Sequence, residues 1–288
     1  MKRLNFLLPI VLFTAFAFKG EDKPAYAMYN ATGKKTNYKT LLAEAKKADI
    51  VLFGEYHNNP ICHWLQYELT KDLTKSLGAA NMVLGAEMFE ADNQAGLNMY
   101  LNGQVEDKNL KTVVRLWPNY ETDYRPLVDF AKENKIPFIA TNVPRKYANK
   151  VYMSGLTSLD TLPDSTKRWI APLPIRYDST LQCYRDIFAA AGGHGGQNLP
   201  MSQALKDATM AHFIAKNWSP GKHFVHYEGS YHSDYHQAIA WYLLQQIPTL
   251  KILVVSVTEQ DDITVLNKED YNRGDFILCV AASMTKTH

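Results

Sequence analysis

Short apolar runs alternate along the chain with longer stretches in which apolar residues recur every three or four positions. The apolar runs are rich in Val, Ile and Phe and predict strands, while the longer stretches predict amphipathic helices. We predict strands at residues 50–53, 81–89, 136–141, 222–227, 251–257 and 276–281. We predict helices at residues 38–47, 60–77, 92–101, 120–134, 202–217 and 234–246. Strands that alternate with helices indicate an α/β fold, in which a central, mostly parallel sheet has helices on both faces.

The predicted elements form a single domain from residue 38 to residue 281. Within it, residues 145–200 lose the regular pattern because several prolines and a glycine cluster at residues 192–196 interrupt it. We interpret this segment as an irregular, partly helical insertion, and insertions of that length usually cover or border a functional site. Residues 19–37, which precede the domain, are polar, and we expect little regular structure there.

The composition is that of a globular domain behind a secretory signal. Hydrophobic side chains make up 46% of the 288 residues, which is enough for a sizeable core. Residues 1–18 have a basic start and an apolar run too short for a membrane span. They predict a signal peptide and therefore an exported protein of the periplasm or cell envelope, where peripheral association is compatible with the sequence. Without Lys2 and Arg3 the chain has 29 basic and 29 acidic residues, which favours no nucleic-acid partner.

The three cysteines lie far apart in the sequence, at Cys62, Cys183 and Cys279. An exported chain could pair two of them, but their spacing matches neither a CxxC motif nor a structural zinc site. We expect them to be buried small side chains. None of them closes the signal region, so the sequence does not support a lipid-modified N-terminus.

The chemistry begins at the end of the first predicted strand, in residues 48–69. The strand leads through a turn into a helix that Asn59 can cap, and the turn delivers Glu55 and His57, with His63 in the first helical turn. In open α/β sheets, ligands bind at the edge where the strands end. A carboxylate and two imidazoles are therefore expected at that edge.

Two later strands end in carboxylates in the same way. Glu87 lies inside its strand, where a carboxylate is costly unless it is paired, protonated or bound to a metal. Glu228 ends the fourth strand, and His232 follows it. The helix before that fourth strand adds Gln203 and Asp207, which are four residues apart and so share one helix face. We predict that these side chains line the same pocket.

Mixed Glu and His side chains suit two kinds of chemistry. Glu55, His57, Glu87 and His232 form a candidate catalytic set. His57, Glu87 and His232 could hold a divalent metal, or His57 could take a proton from water beside a carboxylate. The sequence contains no GxSxG elbow, P-loop or GxGxxG, which argues against serine hydrolases, P-loop NTPases and Rossmann oxidoreductases.

Seven segments give the chain a family resemblance. In chain order they are GEYHNNPICH, VLGAEMFEADNQ, LNMYLNG, residues 117–131, IATNVPR, QALKDATMA and EGSYH. Together they resemble the ChaN-like family of haem-binding, iron-regulated proteins, within the wider Tiki/TraB/erythromycin-esterase superfamily. The resemblance spans residues 50–256 and implies an α/β fold with a mostly parallel sheet, export, and a role in haem or iron handling.

The resemblance also implies site residues. The GxxH segments at 54–57 and 229–232 and the strand-end Glu87 match the site pattern of the superfamily, which carries metal binding or water activation in its protease and esterase branches. The haem ligands of the family are a Tyr and a His shared between subunits, which implies a homodimer. In this chain the candidates are Tyr184 and His194, in a haem site formed by residues 177–197.

Two functions follow from these observations. The first is an exported haem-binding protein of the cell envelope that serves haem or iron uptake, and the resemblance favours it. The second is a hydrolase, metal-dependent or dependent on His and Glu alone, and the convergent carboxylates favour it. The two functions are compatible because they can use different surfaces.

Overall fold

A computed structural model describes residues 23–192 and 196–288 and places eight strands in one sheet. The strands are β1 (Tyr26–Asn30), β2 (Lys35–Thr36), β3 (Ile50–Glu55), β4 (Met82–Glu90), β5 (Phe138–Asn142), β6 (His223–Gly229), β7 (Ile252–Gln260) and β8 (Phe276–Ala281). The α-helices are α1 (Tyr38–Ala45), α2 (Pro60–Leu77), α3 (Gln94–Leu101), α4 (Arg125–Asn134), α5 (Arg145–Ser154), α6 (Asp164–Lys167), α7 (Gln182–Ala190), α8 (Asn198–Asn217) and α9 (Ile239–Gln246). The predicted signal peptide, at residues 1–18, lies outside the described residues.

The sheet order is β2-β1-β8-β7-β3-β6-β4-β5. The strands from β8 to β5 run parallel, and β3 lies between β6 and β7 with Ile50 opposite Phe224 and Ile252. This arrangement confirms the predicted α/β fold with a mostly parallel central sheet. It also explains the apolar runs, since strands in the middle of such a sheet are buried on both faces.

Each face of the sheet carries its own core. Val51 and Phe53 of β3 pack on one face with apolar residues of α1 to α4, including Leu65 of α2. Ile50 and Leu52 point to the other face, where they join apolar residues of α8 and α9. Successive side chains of a strand alternate between faces, so one short run supplies both cores.

The expectation of little structure before residue 38 is wrong. Residues 26–30 form β1, which pairs antiparallel with β8, and residues 35–36 form β2, which pairs with β1. The middle of β1 is buried, although the segment around it is polar. The strand has few apolar residues, and the flanking polar residues hid them in the sequence.

Four helix starts differ from the prediction, α3 by two residues, α8 by four, and α4 and α9 by five. Helix α8 begins at Asn198 rather than Ser202, whose buried hydroxyl donates a hydrogen bond to the Ala148 carbonyl, 2.8 Å away. The helix expected from residue 234 begins only at Ile239, because the backbone before it turns through positive φ angles.

The insertion at residues 145–200 contains α5, α6 and α7 separated by irregular segments, and α5 shares a small core with α8. The three cysteines are buried and free, as the sequence predicted for small core side chains. Within the described ranges, no helix has the length and apolarity needed to cross a membrane.

Candidate functional site

The carboxyl ends of β3, β6 and β4 are adjacent in the sheet and open into a pocket of about 480 Å³. His57, Glu87 and His232 line one side of it. They meet there because the three strands run parallel and end at the same edge. The structure thus brings together the histidines and the carboxylate that the sequence placed after three separate strands.

Glu55 is buried beneath the pocket and holds His57 in place. Its Oε1 accepts hydrogen bonds from His57 Nδ1 (2.9 Å) and from the Tyr124 hydroxyl (2.8 Å). Its Oε2 accepts from Gln66 Nε2 at 2.7 Å. Since Nδ1 of His57 donates to Glu55, Nε2 is the atom left to act as an acceptor or base.

The electrostatic surroundings of His57 favour its protonated form. Burial alone would lower the pKa of His57, but the hydrogen bond to Glu55 and the nearby charge of Glu87 outweigh burial and raise the pKa. Gly229 packs against the ring, and a Cβ built on that glycine would lie 3.0 Å from His57 Nε2. The glycine therefore keeps open the space in front of the imidazole.

His63 lies behind the turn rather than in the pocket. Its Nε2 donates a hydrogen bond to the His57 carbonyl at 3.1 Å, and Asn119 Nδ2 donates to the same oxygen at 2.9 Å. The His63 ring also packs edge-on against Tyr124. His63 is thus a buried support for the turn that carries His57.

A row of hydrogen-bonded polar side chains runs from Glu87 into the protein. Nε2 of His232 lies 3.2 Å from Glu87 Oε1, and Nδ1 of His232 lies 2.5 Å from Asp207 Oδ1. Asp207 Oδ2 accepts from the Tyr184 hydroxyl at 2.9 Å, and Glu87 Oε2 accepts from the Gly229 amide at 2.9 Å. The row joins β4, β6, α8 and α7.

The surroundings of His232 favour its protonated form. Burial would lower its pKa, but the charges of Glu87 and Asp207 outweigh burial and raise the pKa of His232 to about 10. Burial would raise the pKa of Glu87, yet the His232 charge holds it well below its usual value. Burial raises the pKa of Asp207 against the opposing effect of the His232 charge.

Glu87 and His232 contact each other and also protein groups on either side. Throughout the described part of the chain, no group of three or more His, Cys, Asp or Glu side chains could hold a metal ion. The expected metal site is therefore not supported.

Glu228 does not reach the pocket. Its side chain is fully buried, and Oε2 lies 2.7 Å from His226 Nδ1, while His226 Nε2 contacts the Thr141 hydroxyl at 2.7 Å. Burial raises the pKa of Glu228 well above its usual value and lowers that of His226 to about 3. The pair lies in the interior of the sheet.

The remaining sequence candidates take different positions. Gln203 lines the pocket from α8, whereas Asp207, one turn later, lies behind His232. Tyr184 is buried, and its hydroxyl is committed to Asp207. His194 lies outside the described residues.

The opposite walls of the pocket come from residues that the sequence did not single out. Trp117 packs its ring edge-on against His57, with the ring centres 4.9 Å apart. Ile187 of α7 and Tyr231 add apolar surface, and Arg145 and Lys206 add positive charge. Tyr231 is 49% exposed although it lies between Gly229 and His232 of the second GxxH segment. That position was the one signal in the sequence that could have identified it.

Comparison with known proteins places these features in a family. A family model described as "Haem-binding uptake, Tiki superfamily, ChaN" matches residues 41–243. The structure of haem-bound ChaN of Campylobacter jejuni superimposes with a TM-score of 0.68 and 18% identity, covering 89% of this chain and 97% of that one. An erythromycin esterase mutant in its open conformation superimposes with a TM-score of 0.51 and 10% identity, covering 89% and 98%. At these identities the two structures are evidence of fold alone.

A curated plant protein also matches part of the chain. Protein RETICULATA-RELATED 5, chloroplastic, of Arabidopsis thaliana is 29% identical over 117 residues. The match covers 39% of this chain and 16% of that protein, so the chain spans only a small part of its length.

Proposed function

The chain belongs to the ChaN family of haem-binding uptake proteins in the Tiki superfamily, and from this premise we propose that it binds haem and serves haem or iron uptake. The observation that carries the proposal is the family match over residues 41–243, which includes both GxxH segments and the whole of α7. The fold shared with haem-bound ChaN is consistent with it.

The pocket at the strand ends contains two features that haem binding uses. Haem is a flat apolar ring with two carboxylate side chains, and it needs an apolar slot with cations at one edge. Trp117, Ile187 and Tyr231 supply apolar walls, and Arg145 and Lys206 stand at the same pocket. Neither cation forms an ion pair with another described residue, so both are available to the haem carboxylates.

We propose Tyr231 as an iron ligand. Its ring is half exposed in the pocket wall, and phenolate is a hard anionic donor that suits ferric iron. Tyr184, the candidate from the sequence, would have to break its buried hydrogen bond to Asp207 before it could reach a ligand. His194 follows α7 in the chain and stays a candidate donor.

The cellular role is a further part of the proposal. We infer that residues 1–18 direct export to the periplasm or cell envelope and that two chains share the haem as a homodimer. Fractionation of cells, and the mass of the haem-loaded protein in solution, would test these two statements separately from haem binding.

Titration of the purified protein with haemin tests the proposal directly. We expect a saturable change in the Soret band, with a defined ratio of haem to chain. Serum albumin titrated in parallel should give a Soret maximum at a different wavelength. A linear increase without saturation would contradict haem binding.

The second candidate function is hydrolysis. It is favoured by one arrangement, in which buried Glu55 holds Nδ1 of His57 and directs Nε2 at the pocket beside the Glu87–His232 pair. An imidazole held in this way can take a proton from water, and the neighbouring imidazolium can stabilise negative charge. A panel of ester and peptide substrates, with His57→Ala as the inactive control, tests it. Equal turnover by the wild type and the variant would exclude His57 as the base.

A further inference from the structure

A small second cavity adjoins the main pocket and shares Tyr231 with it. Its volume is about 190 Å³. Three tyrosines, Tyr56, Tyr231 and Tyr235, line it together with Asp186, Asp234 and Arg273. Pockets for drug-sized ligands start at about 300 Å³, so this cavity has room only for a small ion or for one end of a larger ligand.

The positive charge of the guanidinium in the cavity wall is offset by two carboxylates. Arg273 Nε and Nη2 both donate to Asp234 Oδ2, at 3.0 and 2.6 Å, and Nη1 donates to Asp270 Oδ1 at 2.7 Å. The Arg273 side chain is only 12% exposed. An incoming anion would therefore meet two carboxylates already paired with this guanidinium.

The charge of the cavity is therefore negative. Arg273 is more than neutralised by Asp234 and Asp270, and Asp186 of α7 adds another carboxylate. Asp186 accepts a hydrogen bond from Gln182 of its own helix, and no cation of the described residues pairs with it. A cation entering the cavity would meet an uncompensated carboxylate.

The backbone holds one of the tyrosines in an unusual conformation. Tyr235 has a φ of 62°, which side chains other than glycine rarely adopt, and its amide donates to the Arg273 carbonyl at 2.7 Å. His236 and Ala238 also have positive φ angles, of 56° and 49°. Such conformations cost about 1–3 kcal/mol each and persist where the surrounding structure enforces them, often at functional sites. Here the conformation places the Tyr235 ring in the cavity wall.

We propose that this cavity binds a small organic ammonium ion, which Asp186 attracts and the rings of Tyr56, Tyr231 and Tyr235 surround. Aromatic rings attract cations through their π electrons, and a ring of tyrosines with one carboxylate suits an alkylated ammonium group. The proposal goes beyond haem binding and does not depend on it, because haem carries no cation of this kind.

Titration with tetramethylammonium, followed by NMR or calorimetry, tests the proposal. The matched neutral probe is tert-butanol, which has a similar branched shape and no charge. We expect saturable binding of the ammonium ion only, and binding at least tenfold weaker in Asp186→Asn and in Tyr56→Leu. Asp186→Asn keeps an acceptor for Gln182, so it is expected to fold normally.

The control variant is Asp160→Asn, which removes an exposed carboxylate away from the cavity and should leave binding unchanged. Absence of saturable binding, equal binding of tert-butanol, or unchanged affinity in Asp186→Asn would each overturn the proposal. Haemin titration of the same samples distinguishes the two sites, since a protein that fails to bind haemin should still bind tetramethylammonium.

Discussion

Nε2 of His232 lies 3.2 Å from Oε1 of Glu87, and the two residues are only 7% and 3% exposed. On its other side His232 contacts Asp207, so a buried imidazolium ion is enclosed by two carboxylates. A buried ion pair of this kind is costly to break, because removing one partner leaves the other charge without compensation. His232 therefore links Glu87 of β4 to Asp207 of α8. Because these contacts depend on the proton of His232, the stability of the folded protein depends on pH.

The first prediction concerns this pH dependence. The pKa of His232 is raised from 6.5 to about 10, so the folded state binds the proton more tightly than the unfolded state does. The stabilisation is fully present below pH 6.5 and is lost as the pH rises towards 10. We expect the free energy of unfolding to fall by roughly 3–5 kcal/mol over that range, measured by urea denaturation.

Other groups also titrate above pH 8, so a variant provides the reference. In His232→Gln the decrease over the same range should be smaller, because the group that loses its proton is absent. Parallel pH profiles for the wild type and the variant would show that His232 is not the source of the effect.

The second prediction compares two glycines at the site. A Cβ on Gly54 would lie 2.9 Å from Ser230 Cα and 3.0 Å from the Val255 carbonyl, and neither backbone atom can move easily. A Cβ on Gly229 would meet His57 Nε2 at 3.0 Å, and His57 is partly exposed and can rotate away. We expect Gly54→Ala to cost about 2–3 kcal/mol of stability and Gly229→Ala less than about 1 kcal/mol.

Urea denaturation measures both costs, and NMR of the imidazole reports on the displacement of His57. If Gly229→Ala were the more destabilising change, the space in front of His57 would be part of the core rather than of an open pocket.

Much of the fold could be predicted because central parallel strands are buried on both faces. Such strands, including those that carry Phe53 and Phe224, stand out as apolar runs against the helical pattern around them. The strand Tyr26–Asn30, which lies next to the edge strand β2, could not be found in this way, since only its middle residues are buried. The positive φ angles before Ile239 also left no signal, because no glycine occurs there.

The site was partly predictable for a related reason. Ends of adjacent parallel strands meet at one edge, so the sequence could bring His57, Glu87 and His232 together. It could not tell that Glu228 shares a strand face with His226, two residues earlier, and so points away from the pocket. The walls formed by Arg145 and Ile187 depend on how α5 and α7 pack, which no local pattern records.

The third prediction separates residues of the pocket from residues that support it. His57→Ala should change the free energy of unfolding by less than about 1 kcal/mol, because the ring is partly exposed and Glu55 keeps two other donors. Glu55→Ala should cost about 3 kcal/mol or more, since it leaves buried donors on Gln66 and Tyr124 without an acceptor. Thermal denaturation measures the difference, and equal losses would contradict this division.

The fourth prediction concerns the cations of the proposed haem pocket. Arg145→Gln and Lys206→Gln should each weaken haemin binding about tenfold, the effect of losing one charge-assisted hydrogen bond of about 1.4 kcal/mol. The loss should be smaller at high salt, because salt screens exposed charges. Lys146→Gln, at the neighbouring exposed position, is the control and should bind as the wild type does. A uniform effect of all three variants would indicate general charge attraction instead of a defined contact.

The last prediction tests the proposed iron ligand. Tyr231→Phe removes the exposed phenol from the pocket wall and should shift the Soret band and weaken haemin binding by tenfold or more. Tyr184→Phe removes the hydroxyl that donates to Asp207, so it should lower the free energy of unfolding by about 1 kcal/mol and leave the haem spectrum unchanged. The two variants delete the same atom from two tyrosines, so each serves as the control for the other. A spectrum changed by Tyr184→Phe alone would assign the iron to α7, the site that the sequence predicted, and His194→Ala would then identify its second ligand.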